Sequence, residues 1–302
     1  MYARFEAYEA EHGGLPGIST EAARDTLIWQ MVESAHRVRY VEVMQHRDIS
    51  PERANPQSRL FDPLRAAVLA QRRGDWDEAF WLVFLFVQFG KNKKSGYQLT
   101  RDIYGKLAQG GLWSWNDVGR DPEGFRDWLR MNLRTLRSDD VHRAFGNHRK
   151  YETLDPDKPR GTGIAVQTYV EWVLKSGSHR VLFQRAITEA NGHPRAAFRK
   201  LYVWMADVIS FGRTARFDYL TMVAKLHLAA IEADSPYMAD ATGPARGARL
   251  IFGGNTRSRM STRLLESRTV ALGDCLGLGM QVMEDSLCNW QKSPEVKVSF
   301  VG

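Results

Sequence analysis

Cysteine is scarce in this chain of 302 residues, which has only Cys275 and Cys288. Two cysteines cannot form a four-cysteine zinc site and allow at most one disulfide, so free thiols in a reducing compartment are the simpler interpretation. The longest apolar run, residues 79–89, is too short to span a bilayer, and residues 1–14 are charged and aromatic, unlike a secretory signal. We therefore expect a soluble, cytoplasmic protein with no membrane partner.

Several motifs of common enzymes are also missing. There is no GxxxxGK(S/T) loop, no HExxH, no GxSxG and no paired CxxC, which argues against P-loop ATPases, zinc proteases and the commonest serine hydrolases. Residues 161–166, GTGIAV, lack the third glycine and the preceding strand of a dinucleotide site. The residues themselves therefore indicate no metal site and no nucleotide cofactor.

Strand signals are nearly absent, because only residues 296–302, VKVSFVG, alternate between apolar and polar side chains. Apolar residues recur instead at helical spacing, in residues 79–89, 121–136, 198–209, 220–226 and 276–287. This periodicity predicts an all-α fold.

No linker rich in Gly, Ser or Pro divides the chain, which predicts one helical domain over residues 1–302. The loop-like stretch 153–163 is the best candidate for a connection between two lobes of about 1–155 and 156–302. We expect the functional site to lie between those lobes.

Basic residues outnumber acidic ones, 42 to 35, and the formal net charge is +7. The sequence has 31 arginines and 11 lysines, and arginine favours bidentate binding of phosphate or carboxylate. Residues 242–268 contain six arginines and one acid, Glu266. This concentration indicates a surface that binds nucleic acid, although most arginines of the chain are expected only to solvate helix faces.

Two segments in the middle of the chain depart from ordinary amphipathic helices. The first, FGNHRKY at 145–151, is either a solvated basic loop or a loop that gathers cations around an anion. In the second, FGRTARFDYL at 211–220, Thr214 is predicted to cap a helix whose N-terminus faces a phosphate. An ion pair between Arg213 and Asp218 is the alternative for that segment.

Two further segments lie in the C-terminal third. ATGPARGARLIFGG at 241–254 predicts a hairpin turn between helices that presents backbone N–H groups to DNA phosphate, although any Gly-Pro turn looks similar. MQVMEDSLCNWQKSP at 280–294 places Asp285, Cys288 and Lys292 on one helix face. Cys288 by itself is more often a small core residue than a nucleophile.

These segments, together with FDPLRAA (61–67), AFWLVFLFVQFGK (79–91) and GTG (161–163), resemble the alpha-glutamyl/putrescinyl thymine pyrophosphorylase family. The resemblance runs from about Arg47 to Pro294. It implies DNA-base hypermodification of the kind found in bacteriophages, a cytoplasm that is bacterial or phage-infected, and a fold similar to helix-hairpin-helix DNA glycosylases.

The resemblance also implies a transferase reaction. A separate kinase pyrophosphorylates 5-hydroxymethyluracil in DNA, and the enzyme then replaces the pyrophosphate with an amine from an amino acid or polyamine, after the base is flipped out of the stack. A glycosylase acting on a modified base and a non-catalytic DNA-binding module are the alternatives. The expected partners are DNA, the small-molecule amine and, functionally, the kinase. The resemblance also allows a divalent metal bound with the pyrophosphate.

Under this resemblance the candidate site residues fall into four roles. The base that accepts the proton of the amine is Asp218, Asp285 or His148. The pyrophosphate is bound by Arg149, Lys150, Arg213 and Lys292, and the substrate pocket is lined by Asn147, Tyr151, Cys288 and Asn289. The DNA backbone is held by Thr242, Gly243, Arg246, Gly247 and Arg249.

Overall fold

A computed structural model describes residues 1–138 and 140–299, and these residues form 14 α-helices and no β-strand. The expected all-α fold is confirmed. The helices are α1 (Tyr2–His12), α2 (Glu21–Met44), α3 (Pro63–Arg72), α4 (Trp76–Phe89), α5 (Gln98–Tyr104), α6 (Trp115–Arg120), α7 (Pro122–Ser138), α8 (Thr162–Leu174), α9 (His179–Glu189), α10 (Pro194–Trp204), α11 (Arg213–Lys225), α12 (Thr242–Gly253), α13 (Thr262–Leu276) and α14 (Met280–Trp290). No helix within the described residues is both long and apolar enough to cross a membrane.

The chain divides into two compact units, and the division does not follow the order of the sequence. One unit combines Met1–Val43 with the described residues from Glu232 onward, and the other is the continuous stretch Met44–Ile231. The loop at 153–163, expected to connect two lobes, lies inside the second unit.

Helix α4 is the central helix of the unit Met44–Ile231. It begins at the N-cap Asp75, whose carboxylate accepts the Glu78 N–H at 3.3 Å, and it ends at Gly90 with φ +65°. Nearly all its side chains are buried, and helices α3, α5, α6, α9 and α11 pack around it. A helix that is apolar on all sides belongs in a core, so the sequence prediction for residues 79–89 is confirmed.

Two local sequence predictions are wrong. Residues 241–254 do not form a hairpin, because Thr242–Gly253 is the continuous helix α12. Thr214 does not cap α11, because Gly212 occupies the cap position and Thr214 lies in the first turn. In the alternating tail, residues 296–299 form no strand, and residues 300–302 lie outside the described residues.

The other unit is organised by close packing of α12 against α14. A Cβ atom on Gly247 would lie 2.2 Å from the Leu287 carbonyl oxygen, and one on Gly243 would lie 2.4 Å from the Cys288 Sγ. Glycines four positions apart share one helix face. Gly243 and Gly247 therefore let the two helices approach closely, which is what the Gly-rich stretch does in place of a turn.

We predict that Gly247→Ala destabilises the protein by about 1–3 kcal/mol, because the added methyl group meets backbone on α14. Urea unfolding at equilibrium measures the change in free energy. Gly14→Ala is the control, since a Cβ there has no neighbour within 4 Å. Equal midpoints for Gly247→Ala and the parent chain would contradict the packing role.

A buried carboxyl group of α4 joins this helix to α5 and α6. Glu78 is 7 % exposed; it accepts the Tyr104 hydroxyl at Oε1 (2.7 Å) and the Trp115 N–H at Oε2 (2.6 Å). Burial raises the pKa of Glu78 to about 7, against 4.5 in the unfolded chain, although both hydrogen bonds oppose the rise. Between pH 4.5 and about 7, Glu78 is therefore protonated in the folded protein and ionised in the unfolded chain.

This proton makes the free energy of unfolding depend on pH. The stabilisation from protonated Glu78 is complete below pH 4.5 and is lost as the pH rises through about 7, a change of about 3 kcal/mol for this group. In Glu78→Gln, an amide replaces the protonated acid. We therefore expect the free energy of unfolding of this variant to change less with pH. Urea unfolding across this pH range tests this, and identical slopes in both proteins would contradict it.

Candidate functional site

The segment 145–151, which connects α7 to α8, is fixed to the C-terminal end of α4. The Gly146 N–H donates to the Phe89 carbonyl oxygen at 2.7 Å, and the Asn92 side chain donates to the Phe145 carbonyl oxygen at 3.1 Å. A Cβ atom on Gly146 would lie 2.8 Å from the Gly90 Cα. Backbone therefore packs directly on backbone at this point.

Arg149 anchors the same segment from inside the protein. Its side chain is 7 % exposed, and its guanidinium donates to the Gln88 side chain (2.8 Å), the Gln88 carbonyl (3.3 Å) and the Ser210 carbonyl (2.9 Å). It also forms an ion pair with Glu152 at 3.4 Å and lies 5.2 Å from the Phe211 ring centroid. Burial lowers the pKa of Arg149. The guanidinium is thus committed to protein groups.

The neighbours of Arg149 point outward. Asn147, His148, Lys150 and Tyr151 are all exposed, and Tyr151 is 88 % exposed. The Lys150 ammonium lies 4.9 Å from the Tyr151 ring centroid. A firmly held turn therefore presents a histidine, a lysine and an aromatic ring to solvent.

The structure brings two of the three candidate bases together. His148 Nδ1 lies 3.6 Å from the Asp218 Oδ2, and the two side chains are 65 % and 38 % exposed. Asp218 belongs to α11, which begins at Arg213. Arg213 itself is half-buried, with its guanidinium 5.0 Å from the Phe217 ring centroid.

A buried polar network that sequence analysis missed lies on the other face of α11. The Tyr219 hydroxyl lies 2.9 Å from the Tyr169 hydroxyl, which lies 2.7 Å from His179 Nε2, and His179 Nδ1 lies 2.6 Å from the Asp77 carboxylate. Burial lowers the pKa of His179, so we assign a neutral imidazole that donates to Asp77 and accepts from Tyr169. This network ties α4, α8 and α9 to the residue next to Asp218.

The candidate residues of α14 form a second polar chain, in the other unit. Asp285 accepts from Arg37 Nη2 (2.5 Å) and Nε (3.2 Å) and from the Asn289 amide (3.0 Å), and Lys292 donates to the Asn289 side-chain oxygen at 2.9 Å. Asn289 thus links Asp285 to Lys292, although Lys292 lies beyond the end of α14 at Trp290 and so is not on the helix face expected from sequence. Arg37 of α2 was not foreseen, because nothing local in the sequence couples it to α14. Cys288 is half-buried with its sulfur directed toward Gly243.

The residues expected to hold DNA separate into two groups. Gly243 and Gly247 face α14, as described above. Thr242, Arg246 and Arg249 line a surface cleft of about 430 Å³, together with Thr256, Arg257 and Thr262. The cleft lies in the same unit as α14.

The site residues therefore lie in both units: 147–151, Arg213 and Asp218 in one, and α12 and α14 in the other. Their expected convergence at a single cleft stays a prediction. Among the described residues, no group of three or more His, Cys, Asp or Glu side chains is arranged to hold a metal ion.

Comparison with known protein families decides the class of this chain. A sequence model of the family described as alpha-glutamyl/putrescinyl thymine pyrophosphorylase clade 3 matches residues 22–302. The chain belongs to this family. The resemblance found from motifs between Arg47 and Pro294 is thus confirmed, and the family name denotes an enzyme of thymine modification. No curated protein matches the chain, and no solved structure matches it.

We predict that Arg149→Met destabilises this family member by about 3–5 kcal/mol, because it leaves the buried Gln88 and Ser210 oxygens without their donor and the half-buried Glu152 without its ion-pair partner. Lys150→Met, one residue away on the exposed side, is the control and should change the free energy of unfolding by no more than about 0.5 kcal/mol. Urea unfolding measures both. Similar values for the two variants would show that the buried guanidinium is not the anchor.

Proposed function

We propose that this protein transfers an amine onto pyrophosphorylated 5-hydroxymethyluracil in DNA. The amine nitrogen bonds to the exocyclic methylene carbon, the carbon–oxygen bond to pyrophosphate breaks, and the electron pair of that bond leaves on the pyrophosphate oxygen. The nitrogen then loses a proton to a base on the protein. Family membership supplies the substrate class, and the observation that carries the proposal is the His148–Asp218 pair. Lys150 is two residues from His148 in the chain, and Arg213 begins the helix that holds Asp218.

His148 is the base we favour. Asp218 lies beside Nδ1 at 3.6 Å and would hold the Nδ1–H tautomer, leaving Nε2 to accept the proton of the amine. Catalytic hydrogen bonds are often long in an unliganded enzyme and shorten with substrate bound. Asp285 is the second choice, because its carboxylate is already paired with Arg37.

Lys150 and Arg213 are the cations we assign to the departing pyrophosphate. Lys150 is exposed and Arg213 half-buried, and oriented cations stabilise charge that grows as the bond breaks. Arg149 holds the segment in place rather than contacting pyrophosphate, because protein groups surround its guanidinium. Lys292 remains a candidate from the other unit, and a divalent metal would arrive with pyrophosphate as its counter-ion.

The remaining candidates have supporting roles. Asn147 offers an exposed amide and Tyr151 an exposed ring beside His148, which suits a flipped base. Cys288 and Asn289 stay candidates for the pocket on α14. The family name contains glutamyl and putrescinyl groups, so glutamate and putrescine are the first amines to test.

The experiment is to incubate pyrophosphorylated 5-hydroxymethyluracil DNA with pools of amino acids and polyamines, digest it to nucleosides and weigh them. We expect a thymidine-plus-amine mass with release of pyrophosphate. Arg213→Ala should lower the transfer rate by ~10²–10³, and His148→Gln by ~10²–10⁴. The His148→Gln defect should shrink as the pH rises, because more of the amine is then unprotonated.

His142→Gln is the matched control, since His142 is an exposed histidine that precedes the 145–151 segment; it should leave the rate unchanged. If Asp285→Asn lowers the transfer rate and His148→Gln does not, the base is Asp285 of α14. Free base in place of modified nucleoside would identify a glycosylase. Unchanged DNA with every amine, while DNA still binds, would refute the transferase and leave a binding module.

A further inference from the structure

The cleft between the start of α12 and the segment that follows α12 has an unusual concentration of positive charge. Arg246, Arg249 and Arg257 line it, and Asp240 is the one acidic residue among its lining side chains. Its volume of about 430 Å³ lies within the size range of ligand sites. The cleft is therefore large enough for a ligand, and its three arginines favour a negatively charged one.

Local structure explains how the three arginines meet. Arg246 and Arg249 are three residues apart on α12 and thus share a face. Gly254, with φ +75°, ends that helix, and the Asn255 side chain accepts the Arg257 N–H at 3.0 Å. This turn brings Arg257 back to the face that carries the other two.

These guanidinium groups have no hydrogen-bond or ion-pair partner among the described residues. Two other arginines of the same unit do have one: Arg37 pairs with Asp285, and Arg268 donates to carbonyl oxygens of residues 12–14. Three unpaired like charges around one cleft repel each other, and a bound anion would relieve that repulsion.

The start of α12 adds to this preference. Its N-cap, Ala241, provides no side-chain hydrogen bond to the first turn, so backbone N–H groups there are left for another acceptor. Thr242, Thr256 and Thr262 line the cleft as well, and their hydroxyls can donate to oxyanions. Guanidinium forks, hydroxyls and helix N–H groups together are the donors that contact phosphate.

We propose that this cleft binds phosphate groups of the DNA backbone and thereby holds the substrate strand. The inference rests on the proposed function for the choice of DNA, and it adds Arg257 to the contacts expected from sequence. The element that contacts the DNA backbone is then one face of α12, and not the hairpin predicted from the sequence. Free pyrophosphate has the same chemistry and is the other source of phosphate to be distinguished.

The test measures binding of an unmodified DNA duplex by fluorescence anisotropy over a series of salt concentrations, so it is independent of amine transfer. Each of Arg246→Gln, Arg249→Gln and Arg257→Gln should reduce the slope of log affinity against log salt by about one, since each phosphate contact contributes roughly 0.9. Arg→Lys at the same positions should keep most of the slope.

Arg39→Gln is the matched control, because Arg39 is exposed, belongs to the same unit and does not line the cleft. Circular dichroism of each variant confirms its fold. Unchanged slopes in all three variants would overturn the assignment, even if amine transfer is observed. If pyrophosphate then raises the melting temperature of the parent chain but not of the triple variant, the cleft binds the released product instead.

Discussion

The buried guanidinium of Arg149 is the interaction on which the candidate site depends. The exposed turn that carries His148, Lys150 and Tyr151 keeps its position because the charge of Arg149, in the same turn, is neutralised and hydrogen-bonded inside the protein. Since the same guanidinium reaches both Gln88 of α4 and the Ser210 carbonyl that precedes α11, it fixes His148 relative to Asp218. A charge that sequence analysis assigned to ligand binding thus serves to position the residues around it.

The parts of the fold that follow from local chemistry were predictable. Asp75 and Gly90 mark the ends of α4, and the apolar run between them specifies a central helix, so residues 79–89 could be assigned directly. The stretch 241–254 misled the prediction because glycine and proline usually punctuate turns. Pro244 lies in the first turn of α12, where the helix does not need its N–H, and Gly243 and Gly247 serve a contact with a distant helix.

The partners of the candidate site residues were not predictable in the same way. Arg37 meets Asp285 across 248 positions, and Asp77 meets His179 across 102. No periodicity or motif in the sequence predicts either pair, because the two residues come into contact only when their helices pack together. The segment 145–151 was recognised by its residue types and by family resemblance, but its composition did not reveal which of its three basic residues faces inward.

The discontinuous unit has a consequence for synthesis of the protein. Helices α1 and most of α2 belong to the same unit as α12, α13 and α14, and Met44–Ile231 is inserted between them. During translation the inserted unit can fold once residue 231 has left the ribosome, because domains fold as their residues emerge. Phe5 and Tyr8 of α1, both fully buried in the folded chain, must wait for helices made much later. These two aromatic side chains of the nascent chain therefore remain without their packing partners until residues beyond 231 have been made.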